Sequence, residues 1–329
     1  MQEYFPVDYS HLSANALARQ ISAAYGLDIA WMKFYCGGFN DTYKLQATSG
    51  EVYYFRVYRP VWRTLNDIQY EVEALNHLKI KGFPAIRILH RLDGSQLSSF
   101  NAPEGMRYGI LSGKARGQPI SYEADAAGTS YRYGRYEAMM HAAMADFHTE
   151  SVRRSLDLHF LTESVLENAE PFLAHRPADW AYLQGFSKRI KEILQGLPME
   201  ALPHGFCHGD LQGYHCNVAE DGALTFFDFD GSGPGPIAYD LGVFRWCGRL
   251  EEQEEERWEH FLRGYQEVRP LTELEIKAIP AMVACRYLWH ISVHTLNAPD
   301  WGIDWLGDEY FDNRINTLKK LEEDYAGLI

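Results

Sequence analysis

The stretch CHGDLQGYHCNVAEDGALTFFDFDGSGPG, residues 207–235, decides how the whole 329-residue chain is read. Two acids, Asp210 and Asp228, stand eighteen residues apart in it. Asp210 lies in a polar loop just after the apolar Phe206, and Asp228 closes the apolar run Leu224, Thr225, Phe226, Phe227. Between them Asp221-Gly222 is a turn dipeptide that folds the two halves back side by side. Two carboxylates held close over a hairpin can divide the work of orienting a hydroxyl and holding a divalent cation, which are the tasks phosphoryl transfer sets a protein. Either Asp alone reads as a solvated loop acid; the spaced pair reads as chemistry.

HGDL at 208–211, followed by a turn, a strand and DFD at 228–230, resembles the catalytic and metal-binding loops of the kinase-like phosphotransferases. That family includes aminoglycoside phosphotransferases, choline kinases, bacterial homoserine kinases and the stress-response Ser/Thr kinase A. Protein kinases carry H-R-D followed by Asn, and D-F-G, in the corresponding places. The resemblance implies an α+β, bilobal protein-kinase-like fold with a small antiparallel-sheet N-lobe and a mostly helical C-lobe. It implies ATP and Mg2+ as cofactors, Asp210 as the catalytic base or hydroxyl-orienting residue, Asp228 as a magnesium ligand, and His208 as a residue that packs the loop. Asp240, in Tyr239-Asp240-Leu241, would brace the catalytic loop, with Asp230 of the DFD as a further supporting acid. The family sets a metal-binding Asn five residues after the catalytic Asp. Here that count lands on His215, with Asn217 two residues further on. Either His215 takes the ligand role or the loop reroutes so that Asn217 reaches the metal. Magnesium prefers oxygen, so a His there favours a softer divalent ion.

Upstream, Gly37 and Gly38 separate two strand-like runs, 30–35 and 42–45, where a backbone free of Cβ atoms can approach a phosphate. Gly37, Gly38, Asn40 and Tyr43 resemble the phosphate-covering loop of the same family. Val52–Tyr58 is a β-branched and aromatic strand with Arg56 in its middle, at the position of the kinase strand-three Lys. Arg keeps the charge and replaces a point donor by a planar fork. Residues 66–80 show helical spacing of Ile68, Val72, Leu75 and Leu78, and Glu71 stands where the family's helix-C Glu pairs with that cation; Glu73 is the alternative. Tyr108–Leu111 closes the lobe and 112–117 forms a hinge. The expected organisation is a helical arm at 1–30, with Ser13 as cap and Gly26 as stop, a nucleotide-binding lobe at 31–112 and a helical lobe at 113–329.

Beyond the hinge the spacing predicts a central helix over 133–149 with Tyr136, Met139, Met140, Ala143 and Phe147 inward, and two helices over 161–197. Residues 231–236 read as a loop too rich in Gly and Pro to be regular. The acidic run 251–256 reads as the solvated start of a helix. Residues 285–312 combine aromatic residues with Asp304, Asp308, Glu309 and Asp312, a helix packed around a loop or an amine-accepting pocket.

Composition bounds the rest. Hydrophobic residues make up 46% of the chain and charged residues 23%, which suits a folded globular protein. A net charge of −14 argues against a nucleic-acid partner. The five cysteines are scattered and lack a CxxC pair, so reduced thiols of a cytoplasmic protein are expected, and the Cys207, His208, His215, Cys216 spacing fits no familiar zinc site. The stretch MQEYFPVDYS has no basic region followed by an apolar run, and no apolar run reaches eighteen residues, so neither secretion nor a membrane partner is expected. The expected function is ATP-dependent transfer of phosphate to a hydroxyl of a small molecule such as an aminoglycoside, an amino alcohol or a homoserine-like metabolite. The alternatives are a Ser/Thr protein kinase of the stress-response type, which Phe55–Pro60 resembles, and a nucleotide-binding pseudokinase.

Overall fold

A computed structural model describes residues 5–329; the first four residues of the expected N-terminal arm lie outside the described part. The chain divides into two compact units. The first comprises the chain up to Gly117 together with His148–Arg153 and Thr225–Phe227; the second holds Gln118–Phe147, Arg154–Leu224 and Asp228–Ile329.

The first unit opens with α1 (Ala14–Tyr25), which Ser13 caps by accepting from the Ala16 amide and Gly26 ends at φ 66°, a left-handed turn natural to Gly. β1 (Ile29–Cys36), β2 (Asn40–Ala47) and β3 (Val52–Tyr58) follow, then α2 (Leu65–Ile80), β4 (Leu97–Ala102) and β5 (Gly105–Gly113). The strands form one antiparallel sheet in the order β1-β2-β3-β5-β4. The alternating side chains of this sheet bury Tyr43, Leu45, Phe55, Val57 and Leu111 against Leu17, Ile21 and Tyr25 of α1, so the predicted arm is part of this unit's core. A capping box between Thr64 and Asp67 starts α2, which buries Ile68, Val72, Leu75 and Leu78.

The second unit begins with β6 (Gln118–Pro119) and α3 (Ala126–Ala143), then α4 (Leu158–Thr162), α5 (Ser164–Leu173) and α6 (Pro177–Gln195), one helix more than the spacing suggested. α3 starts and ends a turn or more earlier than expected because Asp125 caps it on the Gly128 amide. Its buried face carries Tyr133, Gly134, Glu137 and His141, while Met139 is exposed. The reason is glycine: a Cβ at Gly134 would lie 2.1 Å from the Phe261 carbonyl oxygen, and one at Gly264 would lie 2.1 Å from that of Tyr131. This face therefore packs backbone to backbone on a later helix, and no count of apolar residues shows it.

Next come β7 (His204–Cys207), β8 (Cys216–Val218), β9 (Leu224–Phe226) and β10 (Gly233–Pro236), followed by α7 (Ala238–Leu250), α8 (Glu254–Gln266), α9 (Glu273–Leu296), α10 (Ala298–Trp301) and α11 (Asp308–Asp324). The Gly/Pro segment expected to be irregular is thus a strand, paired antiparallel with β7, Gly233 opposite Cys207 and Gly235 opposite Gly205. The prolines fall on alternate positions; the Pro234 carbonyl accepts from the Leu156 amide and that of Pro236 from the Cys207 thiol, and no Pro N–H is needed. The acidic run is likewise not simply solvated: Glu254 binds Arg245 and Arg249, and Glu251 binds the buried Arg257. No described helix is long and apolar enough to cross a membrane.

Candidate active site

β7 delivers the chain into the loop His208-Gly209-Asp210, and Asp240 at the start of α7 holds that loop from behind. The buried Asp240 carboxylate accepts from the His208 amide at 2.7 Å and the Gly209 amide at 2.8 Å, and meets His141 Nε2 at 3.1 Å. His141 Nδ1 in turn lies 2.8 Å from the Tyr265 hydroxyl. Gly209 takes φ 77°, and a Cβ there would strike the Gly231 carbonyl, so the tight passage requires glycine. His208 is fully buried against Phe229 at 4.4 Å, and burial pushes its pKa down to about 4, so it packs as a neutral ring.

Asp210 emerges from this loop with 19% of its side chain exposed. Its Oδ1 accepts from Arg286 of α9, whose Nη1 also donates to the Gly209 carbonyl at 3.2 Å. Arg286 is 2% exposed and its guanidinium lies over the Trp289 ring at 4.0 Å. Burial works against its charge, but the nearby Asp210 carboxylate and Tyr239 hydroxyl outweigh it and hold the pKa above the ordinary value. Arg286 was not singled out by the sequence reading. The available signal was a lone Arg inside the otherwise apolar run Ala278–Leu288, since a charge buried there must have a partner.

His215 comes to rest between the two acids, its Nδ1 3.4 Å from Asp210 Oδ2 and its Nε2 3.7 Å from Asp228 Oδ2. Nδ1 also lies 2.8 Å from the Asp210 backbone carbonyl, which can only accept, so this nitrogen carries the proton. Nε2 lies 3.3 Å from the Gln212 amide nitrogen and 3.7 Å from Asp228 Oδ2. A backbone carbonyl fixing the tautomer while the other nitrogen faces outward is the arrangement metal-binding imidazoles use. Asp228 is 41% exposed, at φ 64°, a strained left-handed conformation for an acid. Asn217, in β8, and Asp230, in a short 3-10 turn, are both buried. Among the described residues no group of three or more His, Cys, Asp or Glu side chains is arranged to hold a metal ion, and one oxygen of Asp210 is already taken by Arg286.

In the first unit Arg56 Nη1 donates to Glu71 Oε1 at 2.9 Å, and Tyr58 donates its hydroxyl to Glu71 Oε2 at 2.9 Å. Glu71 is fully buried while 17% of the Arg56 side chain is exposed. Glu73, the alternative, instead accepts from Ser151 at 3.0 Å. Gly37 and Gly38 form the β1–β2 connection; a Cβ on Gly38 would meet nothing within 4 Å, so the open space there is real. Asn40 heads β2 with its Oδ1 buried and unpartnered among the described residues. Beside it Asp41 is fully buried and binds Arg107 at 3.0 Å, a pair the sequence reading did not find. Arg107 also donates to the Tyr58 carbonyl and to Glu104, fastening β5 to β2, β3 and the N-terminal segment.

A five-stranded antiparallel sheet with its helix, followed by a helical unit that carries an acidic hairpin loop, is the architecture of the kinase-like phosphotransferases. Residues 36–271 match the phosphotransferase enzyme family, and the chain belongs to it; it is a phosphotransferase of the kinase class. It is 34% identical to a protein of Deinococcus radiodurans described only as uncharacterized, over 97% of this chain and 93% of that protein. It is 25% identical to the amicoumacin kinase of Bacillus subtilis, over 88% of this chain and 86% of that one. Among solved structures, an amicoumacin kinase in complex with AMP-PNP and Ca2+ has the same fold, with a TM-score of 0.77 at 17% identity, covering 96% of this chain and 95% of that one.

Proposed function

We propose that the chain transfers the γ-phosphate of ATP to a hydroxyl of a small molecule, with a divalent cation, Mg2+ in the first instance, as cofactor. The observation that carries this reading is the convergence of Asp210, His215 and Asp228 on a loop braced by Asp240. Asp210 accepts the acceptor hydroxyl's hydrogen bond on Oδ2, its other oxygen being committed to Arg286, and so aims the oxygen lone pair at phosphorus. Asp228 and His215 Nε2 would hold the cation, with Asn217 as the alternative ligand. The cation would supply charge neutralisation on the phosphate oxygens. Arg56, steadied by Glu71, and the Gly37-Gly38 loop with Asn40 would bind the phosphates. Histidine among the ligands would weaken the hold on Mg2+ or favour a softer divalent ion.

The test is transfer of label from [γ-32P]ATP in the presence of Mg2+ or Mn2+ to a panel of hydroxylated metabolites and antibiotics. Labelled small-molecule product that disappears on chelation supports the proposal. Label arriving only on protein identifies the stress-response type of kinase instead, and ATP binding without turnover on any acceptor identifies a pseudokinase.

A further inference from the structure

On the face of α9 that begins at Arg286, the residues at i+3, i+4 and i+8 are Trp289, His290 and His294. They build a continuous wall leading away from Asp210. The Arg286 guanidinium covers Trp289 and, at 4.8 Å, Trp246; Trp246 meets His290 at 5.3 Å, and His290 meets His294 at 4.1 Å. His294 then packs on Trp305 at 5.0 Å and on Tyr310 at 5.6 Å, and Arg314 lies over Tyr310 at 5.0 Å. The wall is open: Trp305 is 40% exposed, and Trp289, His294 and Tyr310 are partly so.

Its charge is the reverse of what an amine-binding pocket needs. Burial first, then His294 and the Arg314 and Arg286 guanidinium groups, lower the pKa of His290, and burial and the same two guanidinium groups lower that of His294. The acids that the sequence offered for an amine are engaged elsewhere or face solvent: Asp308 and Asp312 bind Arg176, while Asp304 and Glu309 are exposed. Asp210 stands at the edge of the wall with its charge met by Arg286. Arg286 Nε, Trp246 Nε1, His290 Nδ1 and Arg314 Nε are buried and have no hydrogen-bond partner among the described residues. Three of these four are obligatory donors that lie beneath the wall's surface, so what a ligand meets is the exposed part of Trp305, Trp289, Tyr310 and Arg314.

We propose that this wall binds the phosphate acceptor, and that the acceptor is an oxygen-rich ring compound with no net positive charge, neutral or carboxylate-bearing, so that polycations are rejected. The proposal rests on the kinase reading above for the word acceptor, and on the wall alone for its charge preference. An oxygen-bearing ring stacks on the exposed indole faces, where the Arg314 guanidinium beside Tyr310 favours a carboxylate and disfavours an ammonium.

The test is calorimetric titration of the full chain, without nucleotide, with phenyl β-D-glucuronide, phenyl β-D-glucoside and phenyl β-D-glucosaminide, which differ mainly in the charge of one substituent, and with the polycation kanamycin. The glucuronide and glucoside should bind about tenfold or more tightly than the glucosaminide and kanamycin. Arg314→Glu should reverse the order of glucuronide and glucosaminide, and Trp305→Ala should weaken all the ring compounds by about tenfold without reversing it, each variant first shown to keep the wild-type melting temperature. Kanamycin or glucosaminide binding as tightly as glucuronide, an order unmoved by Arg314→Glu, or no binding of any probe at millimolar concentration would overturn the proposal. Phosphate transfer from ATP to the same compounds is measured separately: the expected binding order without transfer supports the wall's preference and counts against the kinase reading alone.

Discussion

The two units each hold an arginine–carboxylate pair, and the pairs are built as opposites. In the first, Glu71 is fully buried and Arg56 is the partner left 17% exposed. In the second, Arg286 is the buried partner and Asp210 is left 19% exposed. In both, the hidden ion holds the presented one at a set position and makes a further hydrogen bond of its own, Glu71 accepting from the Tyr58 hydroxyl and Arg286 donating to the Gly209 carbonyl. A buried ion pair adds little net stability, because desolvation consumes much of the Coulomb gain. What it supplies is orientation, and the sign it presents is a cation in one unit and a carboxylate in the other. These are the two signs that phosphate binding and hydroxyl activation require.

The comparison can be broken most sharply at Asp210. Asp210→Asn should lower kcat on an identified acceptor by about a thousandfold, the scale of a general base, while leaving ATP affinity within a few-fold, as measured by steady-state kinetics and nucleotide titration. Next is Arg286→Met, which strands a carboxylate beside the buried loop. It should destabilise the protein by about 3–5 kcal/mol in denaturant unfolding and cost activity as well, whereas Arg286→Lys restores charge without the fork and should recover only part of either. On the other side of the comparison, Glu71→Gln keeps the hydrogen bond with Tyr58 and removes the charge. Its expected cost is about 2 kcal/mol of stability and a rise in the KM for ATP larger than the fall in kcat; a pure kcat effect would mean that Arg56 does not hold the nucleotide.

The smallest effect is a pH dependence on the wall of the second unit. Burial pushes the pKa of His290 down to about 2 and that of His294 to about 4, both from 6.5. The folded state therefore refuses protons that the unfolded chain accepts. Their contribution is fully present above pH 6.5 and is lost as the pH falls toward these folded values, by about 2 kcal/mol for His290 at pH 5. The melting temperature measured between pH 7 and 5 should fall less steeply in His290→Phe than in the wild type.

Much of this was legible in the chain. HGDL, the turn and DFD marked the acidic hairpin, and the spacing from Asp210 singled out His215 before its ring was seen between the two acids. The β-branched run around Arg56 and the helical period around Glu71 announced a strand and a helix that meet through those side chains. The misreadings share one cause, that contacts without an apolar signal are silent in a sequence. Gly134 and Gly264 pack by backbone, Gly233–Pro236 pairs through its glycines, and the acids at 251 and 254 find arginines from other helices.

The sequence by itself determined the strand around Arg56, the helix around Glu71, the order of the candidate site residues and the spacing of the Asp210 loop, because periodicity and motif spacing are local properties of a chain; the fold class came from the family that those motifs resemble. Tertiary structure alone decided that Arg286 and not solvent meets Asp210, and that the wall beside the site is lined by arginine and imidazole instead of acid; the bracing of the loop by Asp240 is what the family resemblance implied. Seventy-six residues separate Asp210 from Arg286. No local rule links positions so far apart; the energy that joins them is the cost of leaving a buried charge alone, and it exists only once the helices have packed.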